Sequence, residues 1–179
     1  AVGAHTLSVD AAANATYGGN ITGSGGLVKR GAGVLTLTGF NSHQAGTTLA
    51  GGVVLAHADA SLGAAGATLT LDGGTLRANG GQTLALAADR PVVVADGGGT
   101  LAATGASTLV VAGRLSGSGS LAKGGAGELR LQGDNSGFSG AMDVRAGTLR
   151  VSGGLALPDA GTLALDGSAT LAVDASETL

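Results

Sequence analysis

The amino-acid sequence predicts an all-β fold, a parallel β-helix or solenoid of about eight coils. Three observations carry this. Short runs alternate apolar and polar residues with period two. Glycine-containing turn pairs separate the runs. One block of the chain returns 94 residues later, Ile21 through Gly39 reappearing as Leu115 through Gly133.

The alternating runs lie at 6–9, 34–37, 68–71, 75–78, 83–86, 108–111, 128–131, 148–151, 162–165 and 170–173. Period two sends Leu or Val to one face and Thr, Arg, Ala or Glu to the other. Arg77, Glu128, Arg130 and Arg150 fall at outward positions of that pattern. Asp-Gly, Gly-Gly, Asn-Gly and Ser-Gly pairs between the runs supply turns. At about four residues the runs are shorter than typical strands of about five or six, which argues against a two-layer sandwich. The richest alanine run, 10–14, is too short to hold a helix. Short strands with short turns fit a solenoid whose coils pair edge to edge in parallel. Coils of roughly 20–25 residues stacked at about 4.8 Å make a rod on the order of 40 Å long. The 94-residue offset then corresponds to about four coils.

The repeat is imperfect. Asn41 and Asn135 keep the 94-residue offset, as do Gly46 and Gly140, whereas Leu49 matches Val144 and Gly52 matches Gly147 at 95. An extra residue inside a strand would flip every side chain, so the slip belongs in a turn. Turns are therefore expected at 46–48 and 140–143. The tail 162–167 echoes 68–73, and no linker interrupts the chain.

Composition narrows the classes of function. The 179 residues include 36 glycines and 44% hydrophobic residues, but only 2% aromatics. With a net charge of −3 and a mean hydropathy of +0.37, the chain is too apolar and too weakly charged to be disordered. Its small aliphatics suit narrow, regular layers. Cysteine is absent, which removes disulfides, thiolate metal ligands and thiol nucleophiles. No basic run exists and the pI is near 5.4, so nucleic acid is not an expected partner. No apolar stretch approaches the roughly 20 residues of a membrane-spanning helix. The chain starts at Ala1 without an initiator Met and ends Thr178-Leu179, like the start of another strand. We expect it to be a piece of something longer.

The spacing Gly23-Ser-Gly-Gly-Leu27-x-Lys29-x-Gly31-Ala-Gly33-x-Leu35-x-Leu37-x-Gly39-x-Asn41, followed by Gly46-Thr-Thr-Leu49, resembles the passenger-associated transport repeat of bacterial autotransporters, the type V secreted proteins. Leu121-Ala-Lys123, Gly125-Ala-Gly127, Leu129-x-Leu131, Asn135, Gly140 and Ala146-Gly147-Thr148-Leu149 resemble it again. The copies span about 21–56 and 115–151. The resemblance implies a right-handed β-helix on a bacterial cell surface, exported through the periplasm and outer membrane by a C-terminal β-barrel. It also implies that these repeats fold first outside the cell and help draw the rest outward. No barrel-like alternation of about ten residues per segment occurs in the chain itself. At His43-Gln44 the sequence departs from the family, which places an aromatic there; the second copy has Phe138 close to that site.

Each motif that suggests chemistry has a simpler structural account. Gly23-Ser-Gly25-Gly26 and Gly117-Ser-Gly119 lack the further glycine of a dinucleotide loop, and no Gly-Lys pair or following helix supports a phosphate loop. Asp72-Gly73-Gly74, Asp96-Gly97-Gly98-Gly99 and Asp166-Gly167 lack tandem calcium nonapeptides and suit Asx turns. Asp72 and Asp166 could share a face, but four coils separate them by about 19 Å. Paired glycosidase carboxylates lie within about 6.5–9.5 Å. His5, His43 and His57 have no metal-ligand spacing, there is no Gly-x-Ser-x-Gly elbow, and surface or turn positions are expected. Asn14-Ala-Thr16 and Asn20-Ile-Thr22 match a glycosylation acceptor without consequence in a bacterial product.

The expected function is therefore a non-catalytic, surface-exposed stalk and folding scaffold within a passenger, a single segment over 1–179, monomeric, with no cofactor, metal or catalytic site. Its partners would be its own C-terminal translocator and a host surface ligand, the whole protein being an adhesin or virulence factor. The structural weight would rest on Leu27, Leu35 and Leu37, on Leu121, Leu129 and Leu131, and on the turn glycines. A module binding host glycan or protein is the second reading, and a polysaccharide-acting solenoid enzyme the third.

Overall fold

The computed structural model describes residues 1–153 and 161–174. The ending at 178–179, expected to begin a strand, lies outside the described residues. Eight coils wind around one bore. Coil one carries β1 (Leu7–Asp10), β2 (Ala15–Tyr17) and β3 (Thr22–Gly23), and coil two β4 (Leu27–Arg30), β5 (Val34–Leu37) and β6 (Ser42–His43). Coil three has β7 (Thr47–Leu49), β8 (Val53–Ala56) and, in place of a third strand, a 3-10 turn over Asp59–Leu62. Coils four and five add β9 (Leu69–Leu71), β10 (Thr75–Ala78), β11 (Thr83–Leu86), β12 (Val92–Val94), β13 (Gly99–Ala103) and β14 (Thr108–Val111). Coil six holds β15 (Leu115–Gly117), β16 (Leu121–Gly124) and β17 (Glu128–Leu131). Coil seven holds β18 (Met142–Val144) and β19 (Thr148–Val151), and coil eight β20 (Leu163–Leu165) and β21 (Thr170–Val173).

Three faces result. The first runs β1-β4-β7-β9-β12-β15 and the second β2-β5-β8-β10-β13-β16-β18-β20. The third opens with the pair β3-β6 and resumes as β11-β14-β17-β19-β21. Neighbouring coils pair in parallel, as Leu109 on Leu129 and Leu129 on Leu149 illustrate. All ten alternating runs form strands or overlap them. Their inward residues make one continuous core of Leu, Val and Ala, in which Phe138 is the aromatic member among the described residues. Among the described residues no helix is long and apolar enough to cross a membrane.

Two expectations from the sequence need correction. The repeat does not advance by whole coils. Leu27 of the first copy stands on the first face and stacks on Thr47, whereas its counterpart Leu121 stands on the second face and stacks on Met142. Val34 is likewise on the second face and Glu128 on the third. The 94-residue offset is four coils plus one face, so the second copy is turned by a third of a revolution. Asp72 and Asp166 accordingly follow strands of different faces, β9 and β20, and do not share one.

The slip also lies elsewhere. Thr47 begins a strand at 47–49 and Met142 begins one at 142–144, so 46–48 and 140–143 are not the turns. Asn41 and Asn135 are equivalent at offset 94, since each accepts from the backbone N–H of its predecessor coil, Ile21 and Leu115. His43 and Phe138 are already equivalent at 95, pairing with Gly23 and Gly117. The extra residue is therefore at Ser136-Gly137, in a turn closed by Phe138 N–H donating to Asn135 O at 2.9 Å. It sits where no strand has to flip; the Gly46/Gly140 match at 94 is coincidental.

Candidate functional site

The most densely bonded feature of each copy is a lysine inside the bore. Lys29 and Lys123 are fully buried. Strand geometry demands it: Leu27 and Leu121 point inward, and two residues on the side chain points inward again. Lys29 stacks between Val9 and Leu49 and Lys123 between Leu101 and Val144. A buried ammonium must be fully hydrogen-bonded. Lys29 Nζ donates to the carbonyls of Arg30 (2.6 Å), Gly31 (2.8 Å) and Gly51 (3.3 Å). Lys123 Nζ donates to Gly124 (3.3 Å), Gly125 (2.5 Å), Gly127 (2.7 Å) and Ala146 (2.7 Å). Burial pushes both lysine pKa values below their ordinary value, and for Lys29 the Asp10 carboxylate pulls the other way.

The glycines after each lysine follow from this cage. Gly31 and Gly125 have φ of 72° and 76°, in the left-handed region that exposes their carbonyls to Nζ. Gly33 and Gly127 are needed for proximity instead: a Cβ there would lie inside 3.0 Å of Ala13 O or Ser107 O in the coil below. The asparagines complete the unit. Asn41 Oδ1 accepts from Ile21 N–H at 2.8 Å while its Nδ2 donates to Ser61 O at 2.5 Å, tying coils one, two and three. Asn135 accepts from Leu115 N–H at the same distance. The sequence singled out the leucines and passed over the lysines and asparagines as core residues; an inward-register Lys followed by Gly-x-Gly was the available signal.

His43 departs from expectation more fully. His5 and His57 are exposed, but His43 is buried in the place Phe138 fills in the second copy. Its Nε2 lies 2.9 Å from Thr47 Oγ1, whose hydroxyl donates to Leu62 O at 2.9 Å. Close by, Arg90 is fully buried and anchors the 57–68 loop. It donates to both carboxylate oxygens of Asp59 (2.5 and 3.0 Å) and to Ala67, Gly63 and Ala64 carbonyls.

Asp72, Asn14 and Asn20 make hydrogen bonds between coils. Asp72 Oδ1 accepts from Gly97 N–H one coil on at 3.2 Å, a strut between coils and not a local Asx turn. Asn14 and Asn20 accept from Val34 and Phe40 N–H in the same manner. On the third face Glu128 binds Arg130 (3.1 Å) and Arg150 (2.6 Å), and Arg150 binds Asp174 (2.8 Å). Among the described residues no group of His, Asp and Glu could hold a metal. A shallow groove of about 380 Å³ lies at the corner after the second face, lined by Thr36, Thr38, His57, Asn79 and Gln82 among others.

The passenger-associated transport repeat model matches residues 27–56 and 121–151, the two lysine-cage units. The "Adhesin BmaC autotransporter" of Brucella suis biovar 1 (strain 1330) is 36% identical over 103 residues. Over these stretches the chain carries passenger-associated transport repeats and is similar to an autotransporter passenger. This similarity indicates export across the outer membrane to the bacterial cell surface, and the segment itself is a β-helix. The match covers 58% of this passenger chain and 3% of the adhesin's length. No solved structure matches the passenger chain.

Proposed function

We propose that this passenger segment, over its whole length 1–179, is a non-catalytic stalk and folding scaffold that supports secretion through a C-terminal translocator and carries distal parts of the protein. One observation carries the reading. The residues that recur between the copies point into the bore or sit in coil contacts: Lys29 and Lys123, Asn41 and Asn135, Leu35 and Leu129, Gly33 and Gly127. Moreover the copies face directions a third of a turn apart, so their recurrence builds no common binding face. A repeat kept inside serves folding. Nearest-neighbour coil contacts let a solenoid nucleate on one folded coil and propagate from it. The segment acts as a monomer on this reading.

The test is secretion. Between a signal peptide and a translocator barrel, the segment carrying Lys29→Met and Lys123→Met together should reach the surface of intact cells at a reduced rate. Protease shaving measures it. Undiminished display of a segment shown by circular dichroism to be unfolded would contradict the scaffold role.

A second reading has one observation in its favour. In a chain with 2% aromatics, Tyr17 and Phe40 are 43% and 70% exposed, in adjacent coils beside the corner that holds the neutral polar groove. An aromatic platform with Thr, Asn and Gln side chains suits a neutral glycan, and the relative bearing the name adhesin agrees with a binding role. Glycan-array binding that disappears in Tyr17→Ala with Phe40→Ala would establish it.

A further inference from the structure

His43 is the feature of the first copy that a scaffold does not need. In the second copy Phe138 and Met142 are buried four residues apart; in the first, His43 and Thr47 occupy those places. Two apolar side chains are exchanged for a hydrogen-bonded pair. The bonding fixes the proton. Because the Thr47 hydroxyl donates to Leu62 O, its oxygen accepts from His43, so Nε2 carries the hydrogen. Nδ1 is then bare, buried and without a partner.

A second proton has only Nδ1 to bind, and it would place a cation inside the bore. The charged group bearing on the ring is Arg90, from the segment between β11 and β12, and the Arg90 guanidinium is already engaged by Asp59 of the 3-10 turn. Burial first, and the Arg90 charge second, hold the imidazole below its ordinary pKa; the Ile21 backbone acts in the opposite sense and is outweighed. The Ile21 carbonyl already accepts from Ser42 N–H, so a protonated Nδ1 would have to share it.

We propose that His43 is an acid-sensitive latch confined to the first copy: protonation drives its ring out of the core and releases the 57–68 loop through Thr47 and Leu62, while the second copy stays closed. The folded-state pKa lies below the unfolded one. The latch therefore contributes fully above about pH 6.5 and loses stability as the pH falls below that value.

Hydrogen exchange on the whole chain, corrected for intrinsic rates, tests this between pH 7.5 and 5.0. Protection over 41–68 should fall about tenfold in the wild type, because the opened ring gains a proton that the closed ring does not, with no comparable fall over 135–151. His43→Phe with Thr47→Met, which copies the second repeat, should abolish the difference. A wild type whose 41–68 protection is independent of pH would overturn the latch, as would a folded double variant with the wild-type response. If the double variant fails to fold, imidazole NMR of the wild type decides. A His43 ring that titrates normally while 41–68 stays protected is equally contrary.

Discussion

Lys29 and Lys123 each bind the turn that follows them and also the matching turn of the next coil, through Gly51 O in one copy and Ala146 O in the other. Each ammonium thus joins two coils, and each stands on a different face of the solenoid. Replacing either removes the shared donor and leaves carbonyls buried. Lys123→Met should cost on the order of 3 kcal/mol, since each orphaned acceptor costs about 1–3 kcal/mol. Hydrogen exchange should localise the loss to coils six and seven. Unchanged protection there would mean that the cage is incidental.

The glycines separate into two kinds that substitution can tell apart. Gly105 has a φ of 59° with open space around its Cβ position, so Gly105→Ala should cost about 1 kcal/mol of backbone strain. At Gly127 the added carbon meets Ser107 O and the Ala103 main chain. Gly127→Ala should cost more, about 1–3 kcal/mol or beyond, and thermal unfolding of the two variants gives the order.

On the outer surface, burial would raise the Glu128 pKa, but the bonds and charges of Arg130 and Arg150 hold its carboxyl below the ordinary 4.5. A depressed carboxylate contributes stability above its unfolded pKa and loses it as the pH falls through the folded value. Glu128→Gln should therefore remove a small acid dependence below about pH 4.5 and cost no more than about 1 kcal/mol at neutral pH. Denaturant midpoints across that range measure it.

The β-helix was legible because period-two alternation at positions such as 128–131 contrasts Leu inside with Glu and Arg outside. β4 and β16 lack that contrast: Lys29 and Lys123 face inward, against the usual link between charge and solvent. The extra third of a turn was hidden because all three faces use the same pattern; Leu109 on the third face reads like Leu76 on the second. The slip was misplaced because the strand starting at Thr47 is polar at its first inward position, where His43 and Leu62 satisfy the hydroxyl. That partnership crosses to the 3-10 turn, beyond the reach of local pattern.

The repeat builds coils and advances by four coils plus one face. The chain has no cysteine, so paired spin labels can be placed on engineered Val28→Cys with Ser116→Cys, and on Val28→Cys with Ala122→Cys. Val28 and Ser116 lie four coils apart in one column of the first face, through Thr48, Thr70 and Val93. Their distance by pulsed electron resonance should be about 19 Å, four parallel-strand spacings. The repeat-equivalent pair Val28 and Ala122 should be longer, because it crosses a corner. A distance for Val28 and Ala122 equal to or shorter than that for Val28 and Ser116 would contradict an advance of four coils plus one face.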